Sequence, residues 1–70
     1  MDMSIIGKRI KELRLEQNLS QQQLGELILI SQANISLWEN GRSLPTADFL
    51  IILSKQFDVS VDYILGLTEY

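Results

Sequence analysis

Between Gln21 and Asn40 one short helical pattern is followed by another with almost nothing between them. Leu24, Leu27 and Ile28 stand at i, i+3 and i+4, and Ile35 and Trp38 repeat an i, i+3 pair after a new start at Ser31. The residues separating the two runs are too few for any other element. Two helices must therefore meet at a tight turn, each with one apolar face to bury, which is a helix-turn-helix unit over about residues 21–40.

The flanking segments supply three further helices. Ile6, Ile10 and Leu13 recur at i, i+4 and i+7, predicting an amphipathic helix from about Ser4 to Gln17 with Asn18 as a left-handed stop. Ser20 opens the second helix, and Gln23 three residues later completes a capping box. Ser31 opens the third, which ends at Gly41. Arg42 to Pro45 reads as a loop, after which Thr46 is expected to cap a fourth helix lined on one side by Ala47, Leu50, Leu53 and Phe57. Ser60 caps a short fifth, Val61 to Leu65, closed by Gly66. The expected fold is all-α: a compact five-helix domain with the helix-turn-helix at its centre. It occupies residues 1–70 as one domain, because a chain this short buries only enough surface for a single core.

With 46% hydrophobic residues the chain has enough apolar material to fold. It contains no cysteine and no histidine. That removes disulfides and thiol metal sites along with the commonest general base and metal ligand, and no carboxylates cluster in a plausible cleft. Neither an enzyme nor a metal site is expected, and no cofactor or small-molecule ligand is implied. The longest apolar runs, Phe49 to Leu53 and Leu27 to Ile30, are far short of a membrane span, and the N-terminus lacks the basic-then-apolar layout of a secretory signal. A cytoplasmic protein is expected.

Charge argues against a nucleic-acid partner at first sight. Six basic against nine acidic residues give a formal net charge of −3, where DNA-binding domains are typically basic. The distribution softens the objection. Residues 1–42 balance Lys8, Arg9, Lys11, Arg14 and Arg42 against Asp2, Glu12, Glu16, Glu26 and Glu39, while residues 43–70 hold only Lys55 against Asp48, Asp58, Asp62 and Glu69. The acidity sits in the C-terminal third, and the first helix with Arg42 can still offer a local positive rim; weak non-specific DNA affinity should follow.

The run Leu19-Ser20-Gln21, then Leu24, Ile30-Ser31, Ile35, Trp38-Glu39-Asn40-Gly41, and finally Phe57-Asp58-Val59-Ser60-Val61-Asp62-Tyr63-Ile64-Leu65-Gly66, closely resembles the phage repressor and Cro family of helix-turn-helix regulators, also called Xre-type. The resemblance extends from about Ile6 to Gly66, with the two longest elements at the family's spacing from each other. It implies a five-helix repressor-like domain that binds a roughly palindromic operator in double-stranded DNA, usually as a homodimer, to repress or occasionally activate transcription. Two positions depart from the family pattern. Gly25 stands where a small alanine is usual, permitting close helix approach at a cost of about 1 kcal/mol in helix propensity. Leu29 stands where the turn usually has a glycine, so either it keeps a positive φ, with a strain of about 1–2 kcal/mol, or the turn is reshaped.

By the same resemblance, Gln32, Ala33, Ser36 and Leu37 occupy the positions that face base edges. Gln32 suits a bidentate contact to adenine, and Ala33 or Leu37 suits a thymine methyl; the bland reading is a solvated helix face. Gln21, Asn40 and Arg42 resemble the family's phosphate contacts, although Gln21 can equally just decorate the first turn of its helix. Arg14 and Glu39 match a partly buried ion pair that ties the first helix to the end of the third, a structural role. Lys8, Arg9 and Lys11 read as solvated, with a share in electrostatic steering.

Phe49 and Ile52 point away from the core side of the fourth helix as drawn, and with Tyr63, Ile64, Leu67 and Tyr70 they form a candidate apolar patch for a homodimer interface. Tyr63 and Ile64 can instead finish the core of a single copy. The alternative to a DNA-binding regulator is a protein-interaction module of the same fold, such as an antitoxin-like partner, which accounts better for the acidity.

Overall fold

In the computed structural model, which describes residues 4–70, the chain forms five helices: α1 (Ser4–Glu16), α2 (Gln21–Ile28), α3 (Gln32–Glu39), α4 (Ala47–Phe57) and α5 (Val61–Ile64). The all-α expectation holds, and most boundaries have a local cause. Ser20 caps α2 in a complete capping box, its Oγ accepting from the Gln23 amide at 3.0 Å while the Gln23 side chain accepts from the Ser20 amide at 2.8 Å. The hydroxyls of Ser31 and Ser60 accept from the amides of Asn34 and Tyr63, starting α3 and α5. Thr46 stands at the N-cap of α4, but its hydroxyl makes no cap hydrogen bond, so the expected cap is positional only.

All five helices stop in the same way. Asn18, Leu29, Gly41, Asp58 and Gly66 each take a left-handed φ between 55° and 80°, and the following amide turns back onto the last helical turn. Examples are Leu19 N–H to the Arg14 carbonyl at 3.1 Å and Ile30 N–H to the Gly25 carbonyl at 3.0 Å. The residue after four of these stops is apolar, and three of the four, Leu19, Ile30 and Val59, pack against the core. Leu29 thus keeps the positive φ of 60° that its position demands, and its side chain is 88% exposed. The turn is not rebuilt around the leucine; the leucine is carried in a strained conformation.

The core is one cluster to which every helix contributes: Ile6, Ile10 and Leu13 from α1, Leu24 and Ile28 from α2, Ile35 and Trp38 from α3, Leu53 and Phe57 from α4, and Ile64 from α5. Ile64 is fully buried, which corrects its assignment to a dimer interface. With a core this small, the four-residue α5 buries Ile64 completely and packs Tyr63 against the cluster. Phe49 is corrected in the same direction, since it is half-buried with its ring 5.5 Å from that of Trp38 at 54°, an apolar seam between α4 and α3. Leu27 and Ala47, expected on core-facing sides, are exposed.

Two glycines let backbones touch. A Cβ on Gly25 would lie 2.6 Å from the Ile30 carbonyl oxygen, so the departure from alanine inside α2 follows from a turn that folds tightly back onto the helix. Gly7, which periodicity alone passes over, lies where α1 meets the end of α3, and a Cβ there would overlap the Trp38 carbonyl oxygen and stand 2.9 Å from that of Glu39.

Candidate nucleic-acid interface

α3 is held from behind and free in front. Ile35 and Trp38 are buried, while Gln32, Ala33 and Leu37 are exposed and Ser36 is half-buried, so all four proposed base-facing residues lie on the side away from the core. The surface they make is small, amide-bearing and partly apolar, and Leu37 is 41% exposed. Asn34, on the first turn, is also exposed, and its Nδ2 donates to the Ser31 hydroxyl at 2.9 Å. Asn40 donates from Nδ2 to Ser36 Oγ at 3.2 Å, which ties one proposed phosphate contact to one proposed base contact at the end of the helix.

Beyond Asn40 the chain turns at Gly41, and the amides of Arg42 and Ser43 both donate to the Leu37 carbonyl, at 2.9 and 3.3 Å. The backbone of Arg42 is therefore fixed to α3 while its side chain is exposed. A cation on a fixed backbone beside an open helix face is a suitable donor to an anionic backbone lying across that face.

The angle of α3 is set by a buried polar contact. Arg14 on α1 grips Glu39 with two parallel bonds, Nε to Oε2 at 2.8 Å and Nη2 to Oε1 at 2.9 Å, and its Nη1 donates to the Leu19 carbonyl at 2.8 Å. Both side chains are more than nine-tenths buried. The hydrogen bonds that Arg14 donates to Glu39 raise the Arg14 pKa above the usual guanidinium value, against the lowering effect of burial. Gln21, at the first position of α2, donates from Nε2 to Glu39 Oε1 at 3.1 Å. One carboxylate thus joins α1, α2 and α3, and Gln21 has a structural partner besides the phosphate role expected of it. Among the described residues every buried side-chain nitrogen and oxygen has a hydrogen-bond partner.

Arg9 corrects an expectation. Rather than being solvated, its guanidinium lies 4.2 Å over the Tyr63 ring and its Nη1 donates to the carbonyls of Tyr63 and, at 2.7 Å, Thr68. It fastens α5 and the following segment onto α1, so it is lost to the positive rim; Lys8, Lys11 and Arg42 remain exposed. The sequence signal for this was faint, because Arg9 lies in a basic run with Lys8 and Lys11.

The geometry is that of a helix-turn-helix regulator domain, and comparison with known proteins agrees. The helix-turn-helix family model matches residues 10–64. An uncharacterised HTH-type transcriptional regulator of Bacillus subtilis, YobD, is 42% identical over 62 residues, 89% of this chain and 55% of that protein. Repressor protein C2 of Salmonella phage P22 is 34% identical over 65 residues, 93% of this chain and 30% of that protein. Among solved structures, the P22 c2 repressor in complex with a synthetic operator matches with a TM-score of 0.81 at 35% identity, covering 86% of this chain and 91% of that one. This chain belongs to the helix-turn-helix family, in its phage repressor and Cro branch. It spans between about a third and a half of the length of these two curated relatives. Among the described residues no helix is long and apolar enough to cross a membrane.

Proposed function

We propose that this chain binds double-stranded DNA sequence-specifically as a transcriptional regulator, acting as a repressor through two copies on a palindromic operator. The carrying observation is the outward face of α3. Gln32, Ala33, Ser36 and Leu37 are presented to solvent by a helix whose back and end are fixed to α1 and α2 through Glu39. A rigidly held helix with short polar and apolar side chains is what the major groove accepts, Gln32 toward an adenine edge and Ala33 or Leu37 toward thymine methyls. Arg42, Asn40 and the start of α2 at Gln21 flank that face and supply phosphate contacts. The regulators and the operator-bound repressor that this chain resembles support the assignment. Ile52, Leu67 and Tyr70, 39%, 66% and 91% exposed, are the members of the expected dimer patch that stay accessible.

Duplexes selected from a random pool and titrated against salt test the proposal. Binding should strengthen at low salt and prefer the selected sequence, and a chain without measurable preference for any duplex would refute it. A second reading, a protein-interaction module such as an antitoxin-like partner, is favoured by one observation, the net charge of −3. It predicts no salt-dependent binding to duplex DNA at all.

A further inference from the structure

The outward face of α4 is self-complementary in its chemistry. Asp48, Ile51, Ile52 and Lys55 fall at i, i+3, i+4 and i+7, all four are exposed, and Leu53 and Phe57 on the opposite side are buried. Ile51 and Ile52 are 49% and 39% exposed. Among the described residues neither Asp48 nor Lys55 has an ion-pair partner within the chain; the one such pair is Arg14 with Glu39.

Read outward from the midpoint between residues 51 and 52, the face runs isoleucine then acid in one direction and isoleucine then base in the other. In helical geometry the two charges lie about 5 Å along the axis on either side of that midpoint. We propose that a second copy of this chain packs here, α4 against α4 in antiparallel register, with the two-fold axis passing between Ile51 and Ile52. A two-fold axis makes residue i meet residue j and j meet i. Ile51 then meets Ile52 of the other copy, and Asp48 of each copy meets Lys55 of the other. A parallel pairing would set Asp48 against Asp48 and Lys55 against Lys55, so the charge order selects the antiparallel one. Apolar centre and charged ends give the apolar core and polar rim of a small interface. The inference deepens the two-copy element of the proposed function and replaces the buried Ile64 and half-buried Phe49 of the expected patch with Ile51, Asp48 and Lys55.

The test is a charge swap read by sedimentation equilibrium of the 70-residue chain at low salt without DNA. D48K and K55D each place like charges together at both ends of the interface, and each should weaken self-association by at least about tenfold. The D48K/K55D double variant restores opposite charges and should return to within about threefold of the parent. Helix content and denaturation midpoint, followed by circular dichroism, check that each single variant is folded. A parent that stays monomeric at several hundred micromolar overturns the inference, as do single variants that associate like the parent or a double variant that does not recover. DNA binding is scored separately on a duplex holding one half-site. A chain that binds that duplex but never self-associates refutes this interface and leaves the DNA assignment standing, whereas one that dimerises without binding any duplex does the reverse.

Discussion

α3 and α4 use their inner faces alike and their outer faces differently. Each buries two large apolar residues in the shared core, Ile35 and Trp38 from one and Leu53 and Phe57 from the other, and the rings of Trp38 and Phe49 join them. Outward, α3 shows an amide, a hydroxyl, an alanine and one leucine, whereas α4 shows two adjacent isoleucines between opposite charges. α3 is also locked from the side by a doubly bonded ion pair, while the side-chain contacts of α4 to its neighbours are largely apolar. The lesson is that burial establishes which residues hold the domain together, and the chemistry left on the outside distinguishes the face proposed to meet base edges from the face proposed to meet a second copy.

The sharpest way to break that contrast is to unlock α3. Arg14→Ala strands the buried Glu39 carboxylate and should destabilise the domain by about 3–5 kcal/mol, read as a fall in the urea midpoint. A change under 1 kcal/mol would mean that the pair does not fix α3. Next come the two kinds of DNA contact. Gln32→Ala should cost about 1–3 kcal/mol on the preferred duplex and little on unrelated ones, while Arg42→Ala should weaken all duplexes alike and lower the salt slope by about one unit. Equal losses on every sequence for Gln32→Ala would show that α3 does not lie in the groove. Leu29→Gly should stabilise the fold by about 1 kcal/mol, since the residue is left-handed and its side chain is exposed. A lowered thermal midpoint would show that the leucine contributes packing. The smallest effect is expected on α4, where Ile52→Ala should leave the stability of the isolated copy within about 0.5 kcal/mol, because that side chain is outside the core. A loss of 2 kcal/mol or more, the scale of a core truncation, would place Ile52 in the core and remove the distinction between the two helices.

Much of this was legible in the residues. Serine caps, left-handed stops at Asn18, Gly41 and Gly66, and the spacing of Ile6, Ile10 and Leu13 mark the helices because each signal acts within one turn of chain. Arg14 and Glu39 could be paired only through resemblance, since 25 residues separate them. What escaped was tertiary. Gly7 is set by the approach of α3, Arg9 by carbonyls more than 50 residues away, and Leu27 faces solvent although its spacing fits a buried face. Helical spacing puts Phe49 off the side of α4 that Leu53 and Phe57 line, and only the position of Trp38 brings it inward; for Ile64, sequence does not distinguish cover by the core from cover by a partner.

The central claim is that the face of α3 reads duplex DNA despite an acidic chain. The most direct test is the salt dependence of binding to a selected duplex, plotted as the logarithm of the association constant against that of the salt concentration. The account predicts a straight line falling with a slope of at least about two, one displaced counterion for the Arg42 of each of two copies. A slope indistinguishable from zero, or no binding at low salt, would contradict it and leave the fold to serve a protein partner.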